Sequence, residues 1–446
     1  MCKRTSRALA VAAALAASQA SFAVSDEEVK ELRDQLRQLE QEYRMRIEAL
    51  ERRLQQSQQA AAQTPSTPVR ENAFNPGISL IFNGSYANLS QDPRRFRING
   101  FAPVPGDVAP PRRGFSLAES ELAIAANIDP YFHGALFAAL APDGGVEIEE
   151  AYFQTLALGN GFTLKAGRFF SGVGYQNQIH AHAWDFTDAP LVLKAFLGNL
   201  RKEDGIQFKW VAPTETYFDI GLEAGRGRDK NGFGSRNVFA HAGGDIGAST
   251  AWQVGLSQLS ASAQDRRFTD LDSTGASVTD SFTGKSRLWA LDGVLKWAPN
   301  QNPTVTNFKL QGEYFRRRED GILTYDTLAQ SLGTQRGGLA TRQSGWYLQG
   351  VVQFVPMWRA GLRYDRLSSG TTSIGLVDSG ALSAADFPIL GGYDPRKTTA
   401  MIDWSPSEFS RLRLQFARDT SRMGLADNQV LLQYIMSLGA HGAHKF

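Results

Sequence analysis

From residue 77 onward the apolar residues of this chain recur with a period of two, and that alternation limits the fold more than any other feature. Arg411-Leu412-Arg413-Leu414-Gln415-Phe416 alternates without a break, as do Ile206-Gln207-Phe208-Lys209-Trp210 and Phe308-Lys309-Leu310-Gln311-Gly312-Glu313-Tyr314. Trp346, Leu348, Val352 and Phe354 share one face of a further segment, whose other face carries Gln349 and Gln353. Successive side chains of a strand point to opposite faces, so these segments read as strands with one apolar and one polar face. A soluble sandwich turns the apolar face to a core; a membrane barrel turns it to lipid and lines a lumen with the polar one. Helical membrane bundles are excluded, because mean hydropathy is −0.29 and the one long apolar run lies at the N-terminus.

The connections separate the two architectures. Short turns are expected at residues 129–130, 159–161, 211–215, 247–250, 298–303, 355–357 and 405–407. Between them stand longer, polar, Gly-rich connections, among them 91–114, 171–204, 261–285, 316–343 and 368–397. Seven turns and eight loops give sixteen strands over 370 residues, about 23 residues per strand with its connection. Long and short connections alternate in this way between the outer and periplasmic rims of a bacterial outer-membrane barrel. Trp210, Trp252, Trp297, Trp358 and Trp404 each fall within two residues of a short turn, so five of the eight tryptophans mark one rim, as an aromatic girdle at a lipid–water boundary does. Leu432, Tyr434, Met436 and Leu438 alternate ahead of the terminal Phe446. A last strand ending in Phe resembles the signal by which barrel-assembly machinery recognises its clients. The fold class is therefore all-β: a transmembrane antiparallel β-barrel of about sixteen strands over residues 77–446, in the bacterial outer membrane and in contact with its lipid.

Ahead of the barrel the pattern changes. Lys3, Arg4 and Arg7 precede a small apolar stretch, and Ser21-Phe22-Ala23 offers the small residues a signal peptidase reads, so residues 1–23 form a signal peptide. Cys2 leaves with it. A single cysteine excludes a disulfide framework, a thiolate zinc finger and a CxxC redox centre. Residues 24–58 are charged and free of Gly and Pro, with Val29, Leu32, Leu36, Leu39, Tyr43, Ile47, Leu50 and Leu54 forming a heptad seam with one stutter. So narrow a stripe asks for a partner helix, most simply another copy of itself. The resulting short coiled coil, roughly 50 Å long, would stand in the periplasm, where it stabilises a trimer or engages peptidoglycan. Residues 59–76 read as a flexible linker. With Lys+Arg 47 against Asp+Glu 45 and no basic block, nucleic acid is not an expected partner.

Signal peptide, coiled coil, Pro-containing linker and a sixteen-strand barrel with a long third loop together resemble the phosphate-selective porin O and P family. Glu149-Glu150-Ala151-Tyr152-Phe153-Gln154, followed by Leu164-Lys165-Ala166-Gly167-Arg168-Phe169, is similar to that family's paired strands ahead of the third loop. The resemblance implies a homotrimer and a third loop that folds inward to narrow the pore. The ending Gly439-Ala440-His441-Gly442-Ala443-His444-Lys445-Phe446 also resembles a subgroup labelled zinc-regulated outer-membrane receptors. The globular plug and 22-strand barrel of TonB-dependent receptors do not fit this chain.

With the polar faces turned inward, the pore lining would comprise Lys165, Lys209, Lys296, Lys309, Arg359, Arg363, Arg411 and Arg413, together with Asp219, Glu223, Asp292, Glu313, Asp365 and Asp403. Eight basic groups against six acidic ones imply a weak anion preference. The phosphate-specific members of the resembling family have a ladder of lysines; the lysines here are few and scattered, which points to a general or differently selective pore. Within the third loop, His180, His182 and Asp185 have a spacing that meets one divalent ion such as zinc if the loop turns tightly, and Asp188 follows. His441 and His444 form a second pair. The other reading of both is packing and hydrogen bonding, and no other cofactor is implied.

Catalysis is not expected. Neither GxSxG nor HExxH occurs. Thr283-Gly284-Lys285-Ser286 has the end of a phosphate-loop motif, but Thr279 stands where that motif needs Gly. Gly225-Arg226-Gly227 is a weaker match, and His133 and His241 are isolated. Three functions compete: passive diffusion of small hydrophilic solutes or ions through a pore narrowed by the third loop, zinc-regulated or divalent-metal uptake, and an envelope tether anchored by a closed barrel.

Overall fold

A computed structural model describes residues 76–141, 144–227 and 234–439, the side chain of residue 300 excepted. The expected signal peptide, coiled coil and nearly all of the linker lie outside the described residues, as do His441, His444 and Phe446. Seventeen strands follow in chain order: β1 Gly77–Leu89, β2 Gly114–Leu117, β3 Ser120–Asn127, β4 Phe132–Leu140, β5 Val146–Thr155, β6 Phe162–Phe170, β7 Lys202–Val211, β8 Tyr217–Gly225, β9 Ser235–Ile246, β10 Thr250–Leu271, β11 Ser277–Trp297, β12 Asn307–Tyr325, β13 Gln335–Val355, β14 Trp358–Ile374, β15 Arg396–Ser407, β16 Ser410–Asp419 and β17 Asp427–Gly439.

From β3 to β17 each strand pairs antiparallel with the next, and β17 returns to β1 in a register running from Ser79↔Gly439 to Leu89↔Gln429. Both β2 and β3 pair with β1, so they are two halves of one stave interrupted at Ala118 and Glu119. The result is a closed antiparallel barrel of sixteen staves. Closure leaves no sheet edge whose backbone groups would face lipid. The alternation seen in the sequence sorts the two faces: on β8, Asp219 and Glu223 are buried while Ile220 and Leu222 are exposed on the outside. Trp297, Trp358 and Trp404 stand exposed near the short turns, with the Trp358 and Trp404 rings stacked at 6.2 Å.

The wall is uneven. Strands β3 to β8 have 8–10 residues, whereas β10 to β13 have 19–22. Residues 261–285 and 316–343 were expected as loops and are mostly strand instead, β10 and β11 joined through 272–276, and β12 and β13 through 326–334. About 9–11 residues suffice to cross the hydrocarbon. Strand beyond that length faces no lipid, needs no apolar outer face, and so reads as a polar loop.

Three connections, 90–113, 171–201 and 375–395, fold back inside the wall. The second carries helix α1, Leu191–Leu197, and the third a short turn of helix α2, Gly375–Asp378. Phe101, Val173, Trp184, Leu193 and Leu197 from the first two pack on Leu259, Leu288, Phe315 and Leu367 of the inner wall. Leu376, Phe387, Ile389 and Leu390 pack on Phe268, Phe282, Leu323 and Tyr325. The inner face, expected to be polar throughout, is thus apolar where loops cover it, because there it is a protein core and not a water-filled lumen.

Candidate functional site

The third loop, 171–201, leaves β6 and rejoins the wall at β7 through a closed neck. Ser171 N donates to the Arg201 carbonyl at 3.0 Å, and Arg201 N donates to Asn177 Oδ1 at 2.6 Å. From that neck the loop crosses to the far wall. Ser171 Oγ and Gly172 N donate to Glu223 at 2.6 and 2.7 Å, Gly174 N to Ser257 Oγ at 3.2 Å, and Gln176 N to Glu313 Oε1 at 2.8 Å. Gly172 is required by close approach: a Cβ there would fall 2.5 Å from the Phe239 ring.

Two aspartates fix the loop's distal half. Asp185 lies 2.9 Å from Lys309 and 3.0 Å from Arg359. Asp188 lies 2.7 Å from Lys397, 2.9 Å from Arg363 and 3.5 Å from Lys194. Burial works to raise both carboxyls, but the surrounding cations outweigh it and hold each below the usual carboxylate range. Arg411 donates to the His182 carbonyl at 2.7 Å, Arg413 to the Trp184 carbonyl at 2.9 Å, and Leu191 N to Asp365 at 2.8 Å. Arg359 and Arg413 also share Asp403. Lys309, Glu313, Arg359, Arg363, Arg411 and Arg413, with Glu223, Asp365 and Asp403, therefore stand on the inner wall and either grip the loop or brace the groups that do. Lys397 does the same work and was missed, since a charge pair 209 residues apart leaves no local pattern; Lys194, on the loop's own helix α1, also reaches Asp188 and was missed.

Of the remaining inward charges, Lys165, Lys209 and Asp219 border open space. A cavity of about 680 Å³ lies between the loop and the wall of β6 to β10, bordered by Lys165, Lys209, Asp219, Tyr175, Gln207 and Phe239. Lys209 pairs with Asp219 at 3.3 Å, His241 Nδ1 lies 2.7 Å from the same carboxylate, and Lys165 sits 4.2 Å over the Tyr152 ring. Lys296 is half-buried and Asp292 buried on β11. A second cavity of about 190 Å³ lies at the long-loop end, bordered by Arg201, Arg266, Arg317 and Glu319. Strand β10 lines the first cavity as far as Gln253 and the second from Leu259. Between those levels Ser257 pairs across to Phe239, where the loop backbone meets the wall.

On the opposite wall the loop presents imidazoles to carboxylates. His180 Nδ1 lies 2.9 Å from Glu121 Oε2 and 3.3 Å from Glu149 Oε2, and its Nε2 lies 2.9 Å from Glu150 Oε2. His182 Nδ1 is 3.3 Å from the same Glu121 oxygen. Burial lowers the His180 imidazole, but the three glutamates outweigh it and raise it well above its ordinary value. Asp185, expected beside the two histidines, is instead turned to Lys309 and Arg359, because residues 181–183 form a 3-10 turn after which the chain heads for β12 and β14. Glu121, 59 residues from His180, takes its place; Glu149 and Glu150 stood out in the sequence only as part of a motif. Ligand atoms of Glu121, His180 and His182 all lie within 4.8 Å of one another.

No family model matches the chain, so the likeness to phosphate-selective porins rests on its motif and architecture alone. The chain is 28% identical over 409 residues to an uncharacterized protein of Aquifex aeolicus (strain VF5), covering 85% of this chain and 82% of that one. Its fold is similar to that of OmpTdeltaL8, a loop-deletion mutant of OmpT, an outer membrane protein of Vibrio cholerae, with a TM-score of 0.52 at 10% identity over 82% of this chain and 99% of that one. The trimer form of in-vitro folded OmpT gives the same score, identity and coverage. At that identity the likeness concerns the fold: this chain has the barrel architecture of bacterial outer-membrane proteins.

Proposed function

We propose that the protein is a trimeric outer-membrane channel through which small hydrophilic solutes or ions diffuse passively, with the third loop as its constriction. The observation that carries this reading is the pair of cavities on either side of the loop, both along β10 and parted where Gly172 meets Phe239. Solutes pass along this wall when the neck of the loop yields, while the Asp185 and Asp188 clamps hold its other half. Six basic and four acidic side chains border the two cavities, a balance that favours small anions weakly. Two lysines, Lys165 and Lys209, border the larger one, too few for a phosphate ladder. A neighbouring copy would seat on the low side of the barrel, where Phe115 and Leu117 are 87% and 67% exposed.

Liposome swelling tests the reading. Vesicles holding the purified protein should swell in small sugars and amino acids, at rates that fall steeply with solute mass. Swelling no faster than in empty vesicles, from protein that still shifts on a gel when heated, would favour an anchor with a closed barrel.

A further inference from the structure

We propose that Glu121, Glu149, His180 and His182 form a binding site for one divalent first-row transition-metal ion, of which zinc is the model, and that the ion fastens the third loop to the wall of β3 and β5. The site does not depend on whether the barrel conducts.

The ligand atoms already stand at metal-site spacing. A tetrahedral ion with bonds of about 2.0–2.1 Å holds its ligand atoms about 3.3 Å apart. His180 Nδ1 to Glu149 Oε2 and His182 Nδ1 to Glu121 Oε2 are each 3.3 Å, and His180 Nδ1 to Glu121 Oε2 is 2.9 Å. Small side-chain rotations would open these contacts around an ion, without backbone movement. The 3-10 turn Ala181–Ala183 supplies the tight loop that brings two imidazoles at a spacing of two to one carboxylate.

A carboxylate also stands behind the ligands. A metal-binding imidazole donates its other N–H to a carboxylate, which fixes the tautomer and strengthens the ligand. His180 has that arrangement: with Nδ1 toward Glu121 and Glu149, its Nε2 lies 2.9 Å from Glu150 Oε2. Phe137 and Phe170 pack on the same ring at 4.7 and 4.9 Å, which holds its plane.

The site is also acidic. Glu121, Glu149 and Glu150 are buried together, and Lys202 reaches Glu149 at 3.3 Å. An ion takes the place of the proton on His180, since a coordinating imidazole is neutral, and the three carboxylates and one ammonium then leave an excess of negative charge that a divalent ion offsets. Two imidazoles in the set select a zinc-like ion over calcium or magnesium, whose sites are built from oxygen.

The test uses the full-length protein in detergent, stripped with EDTA and titrated with zinc chloride at neutral pH by calorimetry, with cobalt(II) absorption as a second readout. We expect one ion per protomer in this site, cobalt bands of a four-coordinate N/O site, and at least tenfold weaker binding in His182→Ala. The double variant His441→Ala/His444→Ala should retain the ion. Should His182→Ala fail to fold, Glu121→Gln, which keeps the side chain's shape, decides the same question. Wild-type protein that takes up no zinc overturns the proposal. So does zinc binding that persists undiminished in His182→Ala or Glu121→Gln, whatever the tail variant shows.

Discussion

Asp188 of the third loop lies 2.7 Å from the ammonium of Lys397 on β15, 209 residues away in sequence, and Lys397 is fully buried. Arg363 and Lys194 complete the group. Replacing Asp188 by Asn leaves these cations buried without their common counter-charge, and breaking a buried pair in this way costs about 3–5 kcal/mol. Asp188→Asn should therefore lower the thermal midpoint and raise the open-channel conductance at least twofold as the loop loosens. Unchanged conductance would show that the clamp does not set the constriction.

The same groups fix a pH dependence. The Asp185 and Asp188 carboxyls are held below their ordinary range, so their contribution to loop attachment is complete above the ordinary aspartate value of about 3.9 and is lost as pH falls through their depressed values. His180 is raised, so its contribution is complete below the ordinary imidazole value of about 6.5 and is lost as pH rises through the raised one. In metal-free protein the part of the loop held by Asp185 and Asp188 should gain protease sensitivity only below about pH 4, and the part at His180 only above about pH 6.5, which leaves a window between them. A sharp transition inside the window contradicts this assignment.

Phe239 stands where the two cavities are parted, against Gly172 and Gly221. Removing a buried phenyl ring costs about 3–5 kcal/mol where the site does not collapse. Phe239→Ala should join the cavities and raise conductance several-fold despite the loss of stability. A destabilised variant with wild-type conductance would move the path elsewhere.

Lys209 borders the larger cavity with its side chain one-third exposed, and reversing its charge sets a second carboxylate beside Asp219, whose contact with His241 remains. Lys209→Glu should shift the zero-current potential in a KCl gradient toward cation selectivity. Arg94→Glu, at an exposed salt bridge outside the cavities, should leave it in place.

The barrel wall was legible in the sequence because lipid and water impose opposite demands on successive residues, as at Ile220 and Glu223 of β8. Turn sites such as 159–161 and 355–357 followed from Gly, Pro and polar clusters, the second falling between Val355 of β13 and Trp358 of β14. Where lipid stops the signal stops, and the upper halves of β10 to β13 were read as loops. The inward polar residues were legible by parity, but their partners were not: nothing local to Arg413 announces the Trp184 carbonyl, nor does anything near His182 announce Glu121. The segment that fills the lumen, from Val173 to Leu197, looks like an ordinary loop until the apolar inner wall at Leu288 and Phe315 is known to face it.

Single-channel recording of the purified protein in a planar bilayer in KCl decides whether the barrel conducts. A trimeric channel gives discrete openings grouped in threes, with a modest anion preference. Silence across a wide voltage range, from folded protein that shifts on heating, would contradict it.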